Sequence, residues 1–454
     1  MSPKPYSEYK DSGIEWLREL PNHWSINKVG RISKFIVGWT PPTGTSAFFD
    51  GDNKWANISD LGPRTISDTA KRISDSAVRL SRLKISPAGS LLFSFKLSVG
   101  AVSFAGVDLY TNEAIATFFE TSSVYLRYAY YAYPLFIVEN AGENIYGAKI
   151  LNQERISSAK IALPPREEQL AIANYLDRET AEIDAFIADQ EQLIALLAER
   201  RAATITQAVT KGLNPDAPMK VTGNDWFSEI PVHWSMMKGS LAASLIQTGP
   251  FGSQVHAHDY VDDGIPLINP QHIVDGRIVP NSHKGVTSDK AIELDRHRLR
   301  IGDVVVARRG ELGRSAVVSR KDAGALCGTG SLLIRLRADS YDATYFQLVF
   351  SSDQNRAALS QASIGATMDN LSAGTIISSK FPAPPLDEQR QIVDYIVHEI
   401  EEIDAAITDA REAITLSKER RAAVISAAVS GKIDVRSLVG PATNDVEGVS
   451  IGVA

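Results

Sequence analysis

Two stretches of this chain keep apolar side chains on a heptad spacing. Leu176, Ile183, Ile187, Ile194, Leu197 and Thr204 mark the first, and Ile396, Ile400, Ile403, Ile407, Ile414 and Val424 mark the second. No proline interrupts residues 166–211 or 386–430, Ala, Leu, Glu, Gln and Arg dominate, and a Pro-Pro pair stands just before each start. Both stretches are therefore predicted as long helices. A heptad seam needs a partner helix, and each stretch is the natural partner of the other. Forty-six residues at about 1.5 Å rise give roughly 70 Å of rod, long enough to hold the flanking segments well apart. Elsewhere the pattern shortens to β-like runs between Gly, Pro and Asn: SLLFSF (90–95), VYLRYAYYAY (124–133), DVVVA (303–307) and SLLIRL (331–336). The expectation is α+β bodies alternating with helical rods.

The chain is also written twice. LPPREEQLAIANYLDRETAEIDAFI (163–187) returns as APPLDEQRQIVDYIVHEIEEIDAAI (383–407), at an offset of 220 residues that persists to ERRAATITQAV (199–209) and ERRAAVISAAV (419–429). Each half opens alike, because Gly13, Trp16, Pro21, His23 and Trp24 match Gly223, Trp226, Pro231, His233 and Trp234 at an offset of 210. Between opening and closing segments the two bodies share little identity. GAKI (147–150) and GATM (365–368) match in position, which predicts equivalent turns at Gly147 and Gly365. The repeat divides the chain into bodies at 1–164 and 213–384, spacer helices at 165–212 and 385–432, and a small-residue tail at 433–454, expected to be mobile.

At 454 residues, with 44% apolar and 22% charged side chains, the chain is too long for one ordinary core and has globular composition. The only cysteine is Cys327, so no intrachain disulfide and no cysteine zinc site can form. The N-terminus has no apolar targeting segment, and nowhere do 18 uncharged apolar residues run together. A soluble, cytoplasmic protein is expected. The net charge of −7 is unevenly spread: residues 1–164 carry 18 basic and 15 acidic side chains, residues 213–384 carry 17 of each, and the two helical segments are acidic. That leaves the bodies able to meet phosphates, while the rods suit protein contacts. Basic residues cluster at Lys71, Arg72, Arg79, Arg82 and Lys84, and again at Arg296, Arg298, Arg300, Arg308, Arg309 and Arg314.

Chemistry-bearing motifs are missing from the sequence. It has no phosphate-binding loop, no His-Glu-x-x-His helix, no Gly-x-Ser-x-Gly elbow and no Asn/Asp-Pro-Pro-Tyr/Phe tetrapeptide. His256, His258 and Asp259 lack a second ligand group and read as a polar loop rather than a metal site.

The doubled PPxxEQ segments, the (L/I)P-x-H-W openings and the ERRAA…AV helix ends resemble the specificity subunits of type I restriction-modification enzymes, over nearly the whole chain to about residue 432. The resemblance implies an α+β fold with an internal pseudo-two-fold repeat, in which two target-recognition domains are joined by two long antiparallel paired helices. Each domain then reads one half of a split double-stranded DNA target. The helices also dock two modification subunits that methylate adenine with S-adenosylmethionine, and separate restriction subunits use ATP and Mg for translocation and cleavage. This chain is then a non-catalytic reader that holds no cofactor and no metal itself.

Base readout needs side chains that form paired hydrogen bonds or stack. In the first body that criterion selects Trp39, Thr40, Thr43, Thr45 and Ser46, then Lys96, and Tyr146 with Lys149. In the second it selects Gln247, Phe251, Ser253 and Gln254, then Asn269, Gln271 and His272, and Arg308, Arg309 and Thr367. Helix pairing falls to Leu176, Ile183, Ile187, Ile194 and Leu197 against Ile396, Ile403, Ile407 and Ile414. Two alternatives stay open on the sequence alone: a protein-interaction scaffold that tethers two binding bodies without reading DNA, and a self-contained enzyme with an unrecognised site.

Overall fold

The computed structural model describes residues 4–143, 149–251, 254–280, 284–362 and 371–438. The chain divides into two compact units, Met1–Asp189 with Ala413–Ala454, and Gln190–Glu412. Two long helices, Arg166–Lys211 and Leu386–Val429, each contribute one part to each unit.

Within the first unit, Ile172 and Leu176 share a core with Ala428 and Val429. Nearby, Arg421 forks onto Asp184 at 2.8 and 3.2 Å. As one helix ascends in number its partner descends, so the pair is antiparallel. Within the second unit Ile205, Ala208 and Val209 pack with Ile392 and Ile396, and Arg200 and Arg201 reach Glu399 and Asp404 at 3.1 and 3.5 Å. These ion pairs are the same pairs twice under the internal repeat, since Glu179 meets Arg420 at 4.0 Å where Glu399 meets Arg200. The seam residues follow the heptad expectation in burial. Leu176, Ile183, Ile396 and Ile403 are buried, while Ile187, Ile194, Leu197, Ile407 and Ile414 are half-buried.

Each body closes on itself before its helix begins. Strand Ser25–Lys28 pairs antiparallel with Lys160–Leu163, and Ser235–Lys238 pairs in the same way with Lys380–Ala383. The first body centres on a five-stranded sheet in the order Lys34–Val37, Ile115–Phe119, Leu91–Ser94, Val102–Ala105, Thr65–Ile66. The second centres on a four-stranded sheet, Ala243–Thr248, Ser331–Leu336, Val304–Ala307, Ser315–Val317. Despite their unlike sequences the two sheets keep one register. Leu91 opposes Phe104, and 213 positions later Val304 opposes Val317.

The PPxxEQ motif is explained by what its last two side chains hold. Gln169 accepts the Tyr125 N–H at 2.9 Å and donates to the Ser123 and Pro164 carbonyls, both at 3.0 Å. Gln389 does the same for Asp342, Ser340 and Pro384. Each glutamine thus satisfies backbone groups at the start of a body helix and at the start of its own. The preceding glutamates bind the opening histidines, His23 with Glu168 and His233 with Glu388, both at 2.8 Å. At the far ends of the long helices, Gly431 and Gly212 take positive φ of 76° and 75°. A Cβ at either one stands 3.2 Å from the ring of Trp24 or Trp234, so both the left-handed turn and the close approach call for glycine.

Two expectations change. The aromatic run 124–133 is not a strand but the start of helix Leu126–Glu139. Tyr128, Ala129, Ala132, Tyr133, Phe136 and Ile137 are all buried, a helical spacing that aromatic composition had masked. Residues 433–438, placed in a mobile tail, instead pack onto the first body. Val435 is fully buried, and the Asp434 N–H donates to the Lys4 carbonyl at 2.7 Å.

Candidate functional site

Three loops leave each main sheet at the same end. In the first body Val37 opposes Ala116 and Ser94 opposes Ile115, so the loop after residue 37, the hairpin after residue 94 and the turn before residue 115 start side by side. Backbone bonds fasten them: Trp39 N–H to Thr111, and Phe95 N–H to Ala114, each at 2.9 Å. In the second body Thr248 opposes Leu332 and Ala307 opposes Ser331. There Gly249 N–H donates to Ser331 at 3.0 Å and Arg308 N–H to Gly330 at 2.9 Å. Residues chosen separately from the sequence thus converge on one sheet end in each body.

The loop after the first strand carries Trp39, Thr40, Thr43, Thr45 and Ser46. Trp39 is half-buried and its carbonyl accepts from Trp55 Nε1 at 3.0 Å, while the Thr40 hydroxyl bonds Glu113. Thr43, Thr45 and Ser46 are exposed. In the second body Gln247 is already engaged, its amide donating to the Arg296 carbonyl at 3.2 Å and meeting His297 Nδ1 at 2.9 Å. Burial, then the neighbouring Arg296 charge, push His297 below its ordinary value, which fits an imidazole nitrogen acting as acceptor. Phe251 is 60% exposed, and Gln254 Oε1 accepts the Phe251 N–H at 3.1 Å.

The hairpins share strand register and two backbone features. Ser94 N–H donates to Ala101, and 213 positions on Ala307 N–H donates to Arg314, both at 2.8 Å. Positive φ recurs at the same two places, Leu97 and Gly100 in one loop and Gly310 and Gly313 in the other. Lys96 and Arg309 consequently hold equivalent positions, and both are exposed with no carboxylate partner among the described residues. Arg308 is half-buried and donates through Nε to the Leu371 carbonyl at 3.2 Å. Burial first, and Arg309 second, lower its guanidinium below the usual value. Glu311 is held by Arg314 at 2.6 Å and Arg356 at 3.3 Å, which leaves Arg309 as the outward cation of that loop.

The remaining candidates shape the same end. Asn269 Oδ1 accepts the Gly330 N–H at 3.2 Å, and Arg314 donates to the Pro270 carbonyl at 3.3 Å. His272 is buried with Nδ1 3.0 Å from the Leu267 carbonyl, and exposed Gln271 reaches its Nε2 at 3.1 Å. Lys149 is exposed and 3.6 Å from Glu139. Tyr146, Ser253 and Thr367, with Gly147 and Gly365, lie outside the described residues. His256 and His258 stack at 5.3 Å, and Asp259 caps the His256 N–H at 2.7 Å; among the described residues no three side chains are grouped to hold a metal ion. No helix described is long and apolar enough to cross a membrane.

Two features of this surface had little sequence signal. Leu97 sits at the tip of the first hairpin, 91% exposed, beside Lys96, which was selected where Leu97 was not. Asp177 on the first long helix gathers Arg64, Arg127 and Tyr131 of the first body. Burial acts to raise its carboxyl, but bonds from Arg127, Tyr131 and Arg64 outweigh it and hold the group below its ordinary value. The repeat places exposed Val397 at the matching position in the second helix, so only the first body is fastened this way.

A family model described as the type I restriction modification DNA specificity domain matches residues 21–194 and again 260–414. The MjaIX type I restriction enzyme specificity subunit of Methanocaldococcus jannaschii is 24% identical over 61% of this chain and 63% of its own length. The chain therefore spans less than two thirds of that relative. The MjaVIII specificity subunit of the same organism is 21% identical over 95% of this chain and 98% of its own. Among solved structures, a chain from work on complex assembly and conformational transition of the type I R-M system has the same fold, with a TM-score of 0.67 and 17% identity over 91% of this chain and 99% of that one.

Proposed function

Because this chain belongs to the type I restriction-modification DNA specificity family, we propose that it reads DNA for a type I restriction-modification complex, one half of an asymmetric bipartite target with each body. The observation that carries this reading is the pair of hairpins, one backbone in two bodies with different side chains at the tip. A two-stranded β-ribbon fits the major groove, where Arg and Lys can bond guanine. Arg309 and Lys96, equivalent and without a carboxylate partner among the described residues, are the donors we assign to that task. Thr43, Thr45 and Ser46 in the first body, with Phe251 and Gln271 in the second, are the further exposed contacts. Trp39, Thr40, Lys149, Gln247, Gln254, Asn269, His272 and Arg308, which also bond within their own bodies, remain proposed contacts. Tyr146, Ser253 and Thr367 keep their place as proposed DNA contacts.

The acidic long helices suit protein rather than phosphate. We assign them the docking of two modification subunits, which supply S-adenosylmethionine-dependent adenine methylation, and the spacing of the two half-sites. Restriction subunits bring ATP- and Mg-dependent translocation and cleavage. The test is modularity: replace residues 30–150 with the matching body of another specificity subunit and map methylated adenines across the genome. One half of the target changes and the other stays. Alteration of both halves, or of neither, overturns the reading.

A further inference from the structure

The αL position of the two hairpins is filled in opposite ways. In the second body it is Gly310, with φ of +79°, the residue that such a turn favours. In the first it is Leu97, with φ of +59°, a branched side chain in a region that non-glycine residues rarely adopt. The surrounding bonds fix it there. Ser94 Oγ donates to the Lys96 carbonyl at 3.0 Å, Val99 N–H to the Leu97 carbonyl at 2.9 Å, and Gly100 N–H to the Ser94 carbonyl at 2.9 Å. Among the described residues the side chain itself joins no core, being 91% exposed beside exposed Lys96. An unfavourable backbone conformation and a solvated leucine coincide at one tip, next to a lysine with no carboxylate partner among the described residues.

We infer that Leu97 is an apolar base reader that contacts a thymine 5-methyl group in the major groove of the first half-site. The inference rests on the proposed reading of the chain as a DNA-specificity subunit and deepens it. A ribbon tip in the major groove faces base edges, and the thymine methyl is the one apolar group displayed there. Lys96 at the neighbouring position supplies the polar contact, to phosphate or guanine. Body two, with Gly310 at this place, lacks this hairpin contact, so the methyl requirement that depends on Leu97 belongs to the first half-site.

The experiment uses the assembled methyltransferase with the full chain and duplexes carrying its own target, as identified by mapping methylated adenines. Each thymine of the first half-site is replaced in turn by uracil, which removes only the methyl group. At one thymine the wild-type complex loses roughly three- to fivefold in affinity, and the Leu97→Gly complex shows no loss there. Leu97→Gly itself weakens binding to the unmodified target by roughly tenfold, while its melting temperature holds or rises because the turn relaxes. Leu97→Met keeps both affinity and the uracil effect. A silent uracil scan, a first half-site without thymine, or Leu97→Gly binding like wild type overturns the inference and leaves the DNA-reading assignment standing. So does a Leu97→Gly effect on subunit stoichiometry in place of DNA affinity. A wild-type complex that binds all duplexes alike overturns the underlying reading, and the inference with it.

Discussion

Where each body meets its long helix, the two copies are built nearly alike: Glu168 sits between His23 and Tyr6, and Glu388 sits between His233 and Trp234. At the loop end of each main sheet they share only the backbone, with Phe95, Lys96, Leu97 and Ser98 set against Arg308, Arg309, Gly310 and Glu311. The contrast separates two kinds of constraint. Groups that must satisfy buried backbone donors and acceptors admit few replacements, whereas an exposed loop held by its own backbone bonds can carry almost any side chain. A duplicated chain can therefore keep its helix joints fixed while its two loop ends diverge.

Matched joints should respond to matched damage. Gln169→Ala and Gln389→Ala each leave one half-buried N–H and two carbonyls without their partner, which costs about 2–4 kcal/mol in the unit that carries the change. Denaturant unfolding of the two variants checks this, and costs that differ by more than about 1 kcal/mol break the equivalence of the joints.

A smaller effect sharpens the difference between the bodies. Asp177→Asn weakens the bonds to Arg64, Arg127 and Tyr131, at a cost of about 1–2 kcal/mol for a partly exposed cluster. Because the folded carboxyl is depressed, its contribution is present above the unfolded carboxylate value of about 3.9 and is lost as pH falls through the folded one. The stability gap between wild type and Asp177→Asn accordingly narrows in acid. The converse change, Val397→Asp, gains nothing, because the repeat supplies no arginine pair there: Thr344 and Leu348 stand where Arg127 and Tyr131 stand. A measured gain removes the asymmetry.

The smallest effect belongs to the interhelical ion pairs. Arg421→Ala and Arg201→Ala each cost less than about 1 kcal/mol, shrinking further in high salt, since each half-buried arginine meets an exposed carboxylate. Thermal unfolding at two ionic strengths measures it; a larger, salt-independent loss shows that these pairs do more than align the helices.

The residues that made the repeat visible turn out to be joint residues. Glu168, Gln169, Trp24, Val209 and their counterparts are buried or half-buried, and their side chains fasten helix to body or pack in its core. The loop candidates divide differently. Thr43, Lys96 and Arg309 are exposed and make no ion pair among the described residues, but Gln247 spends its Nε2 and His272 its Nδ1 inside the body. Composition marks a side chain able to bond a base and says nothing about whether a nearby backbone already claims it. The misread helix Leu126–Glu139 has a similar origin: aromatic and β-branched residues favour strands on average, and only the burial of one helical face overrides that preference.

The sequence by itself determined the duplication and the two long helices with their heptad seam, because these rest on periodicity and motif, which are local in sequence. Tertiary structure alone decided that loops from separate stretches meet at one end of each sheet, and that Leu97 and Gly310 hold one backbone position with opposite consequences. Such facts depend on strand register between residues far apart in the chain, and register is fixed by packing rather than by any short run of residues.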